Sequence, residues 1–201
     1  MNMTNLCETL IAKDIAFDCD EMSVKGLEAD GVIINRNDVD FSKTEFDNEA
    51  KNIIRQMVLK SGKKGYEVVQ MGNTPFTGTT STLAVGTYRN TWTHEIPIAV
   101  LANDPEVCEK IIDGLANGTF ILVLRNKAKG SQGKGEYQIF GFYQGLVASA
   151  GTNEKYSDET EGGWLMTLQE TNAPKSALFL FDTDSEATQA RYNALKTASN
   201  V

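Results

Sequence analysis

The sequence predicts a mainly β protein of the α+β class, a sandwich or barrel-like arrangement of sheets with one flanking α-helix and a short C-terminal helix. Three observations predict it. Short runs of β-branched and aromatic residues recur along the chain, separated by Gly, Asn and Asp clusters. One internal segment has both helical spacing and helix punctuation. The composition, with 41% apolar residues, 23% charged residues, four prolines and 17 glycines in 201 residues, is that of a folded chain with many turns. A chain of this length buries roughly 70% of its unfolded surface, enough for one core without disulfides or metals. We read residues 1–201 as one structural domain: an acidic N-terminal segment (1–50), a β-rich core (51–182) and a C-terminal helix and tail (183–201).

Taken in order, Leu6, Cys7, Leu10 and Ile11 suggest a short amphipathic turn. Residues 31–35 (GVIIN) form a short apolar run between turn-rich stretches, as a buried strand does. Residues 53–70 read as a hairpin, because the SGKKG centre offers glycines for a reversal and Tyr66, Val68 and Val69 favour a strand. Residues 72–82 read as a polar, glycine-containing loop. Residues 83–101 are rich in strand formers, with Pro97 placing part of them at an edge or bulge. A strand pair follows from 120–127 through the glycine-rich loop 128–135 to 136–147, and 162–170 and 176–181 complete the sheets.

The helix is expected at 105–116. Asp104 can accept from the free amides of the first turn, Pro105 suits the first helical position, and Glu106 suits the positive helix end. Val107, Cys108, Ile111, Ile112 and Leu115 recur at helical spacing and make one apolar face, of which Val107, Ile111 and Leu115 are expected to pack on a sheet, and Asn117-Gly118 ends the run. A second helix is expected at 184–196, opened by a Thr183-x-x-Glu186 capping box.

No segment has a basic start followed by a long apolar run, and none approaches the roughly 18 apolar residues of a membrane span, so neither a secretory signal nor a membrane partner is expected. Cys7, Cys19 and Cys108 are odd in number and widely spaced, which suits buried, reduced thiols. The net charge of −8 is unevenly spread: residues 1–50 hold 12 acids and 4 bases, 51–149 hold 7 and 11, and 150–201 hold 8 and 4. This patterning predicts head-to-tail assembly in which Asp38, Asp40, Glu45 and Asp47 of one copy meet Lys60, Lys63 and Lys64 of the next.

Catalytic signatures are absent. His94 is the only histidine and lies on an expected strand whose neighbours, Thr93 and Glu95, point to the opposite face. KGSQGKGE lacks the spacing of a phosphate-binding loop, with only two residues between Gly130 and Gly133, and GNTPFTGTT has no lysine. The pairs Asp18/Asp20 and Asp38/Asp40 lack the Gly and distal Glu of a helix-loop-helix calcium loop. No aromatic-basic motif for nucleic-acid binding is present. No enzyme activity, cofactor or metal is expected.

From about residue 50, the succession KSGKKGYEVVQ, TPFTGT, GTYRNTWTHEIPIAVLAND, IIDGLANGTFILVLRNK, YQIFGFYQGL and EGGWLMTLQET resembles tailed-bacteriophage virion structural proteins of the tail-tube (major tail) type, over roughly residues 50–185. That resemblance implies a self-assembling subunit whose sheets join those of its neighbours in a ring, usually a hexamer. Rings would stack into a tube through which double-stranded DNA passes without specific binding. It also implies other virion tail or connector proteins as partners, and a virion location after assembly in the host cytoplasm. The hairpins expected to line such a lumen, 53–70 and 120–146, are basic, whereas a DNA-conducting lumen is usually acidic. A head-tail connector, a tail-completion ring, a capsid-associated protein, a β-sandwich binding module and an enzyme with a carboxylate pair remain alternatives.

Overall fold

The computed structural model describes residues 24–199, together with residues 11 and 13–15. The protein is mainly β, with two sheets packed face to face and two helices. The amphipathic turn expected around Leu6, Cys7 and Leu10, and the residues Cys19, Asp18 and Asp20, lie outside the described residues; Ile11 is exposed.

The larger sheet has seven strands: β1 (Leu27–Asn35), β2 (Glu45–Phe46), β3 (Ile53–Gln56), β4 (Tyr66–Val69), β7 (Phe120–Asn126), β8 (Tyr137–Phe140) and β11 (Leu178–Leu180), in the order β2-β3-β11-β8-β7-β1-β4. Only β3 and β11 run parallel. The smaller sheet has four antiparallel strands, β5 (Thr80–Ala84), β6 (Thr91–Val100), β9 (Val147–Thr152) and β10 (Trp164–Ala173), in the order β5-β6-β10-β9. Strand alternation assigns the core cleanly. On β7, Phe120, Leu122 and Leu124 face the small sheet, while Ile121 and Val123 face the other way. The small sheet answers with Ile96, Ile98, Met166 and Leu168. The opposite face of the large sheet is covered by the C-terminal helix α2 (Ser185–Ala194), through Tyr192 and the following Leu195, and by Met57 and Leu59. The centre of the large sheet is therefore buried on both faces, which explains the near-continuous apolar run of β7.

Several local expectations are corrected. Residues 53–56 and 66–69 are strands, but they do not form a hairpin: β3 pairs with β2 and β11, and β4 pairs with β1 at the far end of the same sheet. The intervening segment drops Met57 and Leu59 into the core, and Leu59 bridges to Val39. It returns through Gly65, whose N–H donates to the Leu195 carbonyl at 2.7 Å. A Cβ there would sit 2.5 Å from Val32 Cγ1, so the close approach requires glycine. The chain does turn at Ser61–Gly62, where the Lys63 N–H donates to the Lys60 carbonyl at 3.0 Å, but the strands on either side pair elsewhere. Part of the expected 72–82 loop is strand β5, and residues 85–90 are the turn of a β5–β6 hairpin.

The first helix, α1, covers residues 105–117, with Asp104 accepting from the amides of Glu106 and Val107 at 3.0 Å. Its middle, Cys108–Ile112, is a π turn. The inserted residue shifts the buried face, so Ile112 and Leu115 are buried beside Val107 and Ile111 is 43% exposed. The helix forms where expected and packs through Val107 and Leu115, but Ile112 takes the core place expected of Ile111. Cys108 is half-buried, where full burial was expected. At α2 the cap is Asp184, accepting from the Ala187 amide at 2.8 Å, in place of Thr183. Its carboxylate reaches the third helical amide and also favours the positive helix end.

Pro97 sits in β6 just past the point where β5 stops pairing, at Glu95. Two residues on, the Gln70 side chain replaces the missing strand: its Nε2 donates to the Ala99 carbonyl at 2.9 Å and its Oε1 accepts from the Ala99 amide at 3.0 Å. The backbone groups of Pro97 face the same side, where proline has no N–H to leave unpaired.

Candidate assembly surfaces

Two of the residues expected on opposite sides of a subunit boundary, Asp38 and Lys63, meet within one chain. Lys63 Nζ is 3.3 Å from Asp38 Oδ1, beside a groove of about 580 Å³ lined by Asn35, Asp38, Lys63, Lys64, Tyr66 and Lys196. Lys60 Nζ donates to the Asn37 carbonyl at 2.6 Å, and Lys64 lies over the Tyr66 ring. Asp40 accepts from the Ser42 hydroxyl at 2.6 Å, which holds its carboxyl below the ordinary range, and Lys43 is 3.9 Å away. Asp47 is held at about pKa 2 by the Ala50 amide, by Arg55 at 2.7 Å and by the Glu49 amide. Glu45, on β2, makes no ion pair among the described residues. Asp38, Asp40 and Asp47 thus spend their charge inside their own chain, and Asp38 pairs with one of the lysines assigned to a neighbouring copy.

The two sheets treat their edges differently. An unpaired strand edge is a template for another chain, and monomeric proteins guard it with charge, proline or brevity. At one end of the large sheet, β2 has two residues, one of them Glu45. At the other, β4 carries Glu67, which pairs with Lys196 at 2.7 Å, and is flanked by Lys63 and Lys64. The small sheet ends in β5 (TSTLA) and β9 (VASAGT), which contain no charged residue and no proline and are mostly exposed. One bulge at Ser149 interrupts the β9–β10 register.

The small sheet's outer face is also almost uncharged. Thr91, Thr93 and Glu95 on β6, and Thr167, Gln169 and Thr171 on β10, point away from the core, opposite to Ile96, Ile98, Met166 and Leu168. Glu95 is the one charged side chain at the outward positions of all four strands, and no base occurs there. The alternation of threonine with aliphatics is visible in the sequence, but a face appears only when the register of four strands is known.

The inner face carries two polar side chains at one end. Glu170 is 2% exposed and accepts from the amides of Gly141 (2.8 Å), Tyr143 (3.1 Å) and Gln144 (2.8 Å), fastening the turn by which the chain leaves the large sheet for the small one. Gly141 is required in that turn, with φ +78 and the Phe120 carbonyl 2.5 Å from where a Cβ would stand. His94, opposite Glu170, is buried against the Phe140 ring. Its Nε2 lies 3.3 Å from the Lys175 carbonyl and its Nδ1 2.8 Å from the Ser81 hydroxyl, which makes Nε2 the donor and Nδ1 the acceptor. Ser81 borders a shallow cleft of about 630 Å³ that also receives Lys25 and Lys127. Both oxygens of Glu170 are taken by backbone amides, so no carboxylate orients the imidazole, and the Ser81–His94 bond ties β5 to β6 and to the turn at Lys175.

Among the described residues no helix is long and apolar enough to cross a membrane, and no three His, Cys, Asp or Glu residues are placed to hold a metal ion. Comparison with protein-family models, curated proteins and solved structures finds no match to this chain.

Proposed function

We propose that the chain is a virion structural protein of the tail-tube type, a subunit whose four-stranded sheet joins those of its neighbours in a closed, usually hexameric ring, with rings stacked into a conduit for double-stranded DNA. The observation that carries this reading is the pair of unguarded edges, β5 and β9. The strands of the small sheet alternate in direction across an even number, so β9 of one copy meets β5 of the next antiparallel and the pattern continues around a ring. Closure removes both edges at once.

In this reading the lumen is lined by the outer face of the small sheet. The basic segments 53–70 and 120–146 would lie away from it, since β3, β4, β7 and β8 all belong to the large sheet. A wall of threonines, Gln169 and uncharged residues such as Pro97, Ala99, Leu165 and Val147, with one carboxylate per copy, offers phosphates no cation to exchange for their counterions, so DNA passes without being held. The chain would work in the virion after assembly in the host cytoplasm, with tail or connector proteins at the tube ends and without a cofactor.

The test is negative-stain microscopy with sedimentation of the purified chain. Because the backbone of Ala99 points to the free side of β6, the register places the amides of Ser81 and Leu83 on the outer edge of β5, and those of Ala148 and Gly151 on the outer edge of β9. Leu83→Pro and Ala148→Pro each remove one such donor while sparing the bonds within the sheet. Rings from the native chain, and none from either variant, are expected. Single rings that never stack would point to a connector, and a native chain that stays monomeric at high concentration would overturn the reading.

A further inference from the structure

The chain's opposite charges are mostly neutralised in cis near Asp38 and Asp47, yet two exposed clusters at opposite ends of the small sheet are not. One is the β5–β6 turn, residues 85–90, where Val85 is 83% exposed, Tyr88 fully exposed, and Arg89 has no ion pair among the described residues. The other is the β9–β10 connection, residues 153–163, where Glu154, Asp158, Glu159 and Glu161 outnumber one exposed base, Lys155, all five unpaired among the described residues, around Tyr156 at 96% exposure. Leu101, 44% exposed, follows β6 at this same end. Trp164 pairs with Val100 while β6 begins at Thr91 beside the 85–90 turn, so the clusters are separated by the length of β6, about 30 Å for ten residues.

We propose that these two ends dock on each other between copies: the Val85–Tyr88–Arg89 turn of one subunit seats on the 153–163 connection of the subunit above it, stacking copies along the strand direction. This rests on the ring reading and specifies how rings join. The occupant is a second copy because the same chain carries both halves of the match, an exposed aromatic with one base at one end and an exposed aromatic in a net acidic segment, four acids against Lys155, at the other. A contact between two different surfaces related by translation does not close, so it propagates as a stack. The connection also holds an unmet demand: the Thr160 hydroxyl is buried without a hydrogen-bond partner. A buried hydroxyl left unbonded is costly, and rearrangement of the connection on contact would relieve it.

The test uses the full chain under conditions that give rings, comparing native protein with Arg89→Glu, with Asp158→Lys plus Glu159→Lys, and with all three together. All are exposed positions outside both sheets. Ring diameter and stack length are read by negative stain, and association between rings by light scattering at low and high salt. Each reversal alone is expected to leave single rings of native diameter and lower the ring–ring association constant at least about tenfold at low salt, because weak exposed pairs repeat around each ring. The combined variant is expected to restore stacking. Native-length stacks from both single reversals, or no rescue by the combination, would overturn the docking while leaving the ring reading intact. A native chain that forms no ring would overturn both.

Discussion

The seven-stranded sheet is covered on both faces at its centre and ends in a two-residue strand and a charged one, whereas the four-stranded sheet is covered on one face and ends in two uncharged, exposed strands. Burial of apolar area is the dominant favourable term in folding, so the larger sheet holds most of the stability. The smaller sheet leaves backbone donors and acceptors unsatisfied by the chain itself. That difference separates two jobs that one sheet cannot do at once, because an edge guarded well enough for a monomer is closed to a neighbour.

The comparison can be broken by mutation. Ile34, fully buried between β1 and the C-terminal helix, should lose about 2–5 kcal/mol on Ile34→Ala, read by denaturant titration. Leu83→Pro on the small sheet's edge should cost about 1 kcal/mol or less in the monomer yet abolish assembly; equal losses at both sites would erase the distinction. Glu170→Ala strips three amides of their acceptor at the crossing between sheets and should destabilise by about 3 kcal/mol, with an unchanged melting temperature counting against the anchor. In helix α1, Ile112→Ala should cost about 2–4 kcal/mol and Ile111→Ala under about 1 kcal/mol, and the reverse order would refute the π turn.

The smallest effect concerns pH. Asp47 has its folded pKa depressed to about 2. Its contribution is therefore present above the ordinary carboxylate range and is lost as pH falls through about 2. The NMR titration of its carboxyl should have its midpoint near there, and Arg55→Ala should raise it, though not to the ordinary value, since the Ala50 amide still donates.

Much of this fold was legible in the sequence because local and tertiary demands agree there. GVIIN, FILVLRN and the Asp-Pro-Glu helix start behave as their residues predict. The failures occur where tertiary packing competes with a local signal. SGKKG does turn the chain, but Met57 and Leu59 enter the core before it, which carries β3 and β4 towards opposite ends of the sheet. A 3.6-residue period cannot announce a π turn, so Ile111 leaves the apolar face that Ile112 keeps. Charge blocks along the chain separated Asp38 from Lys63, yet the fold makes them neighbours, since sequence blocks carry no distance. Edges open to another chain were expected of the long hairpins, but which strands carry them was not legible, because an edge is a property of register, fixed only once β5 and β9 are known to be outermost.

The central claim is that copies join through β5 and β9, and hydrogen exchange of assembled against monomeric protein tests it most directly. The amides of Ser81 and Leu83 on β5, and of Ala148 and Gly151 on β9, face outward from the sheet. They are expected to exchange rapidly in the monomer and to become protected on assembly, while the amides of β4 and β2 change little. Protection that appears at β4 or β2, with β5 and β9 still exchanging at monomer rates, would contradict the account.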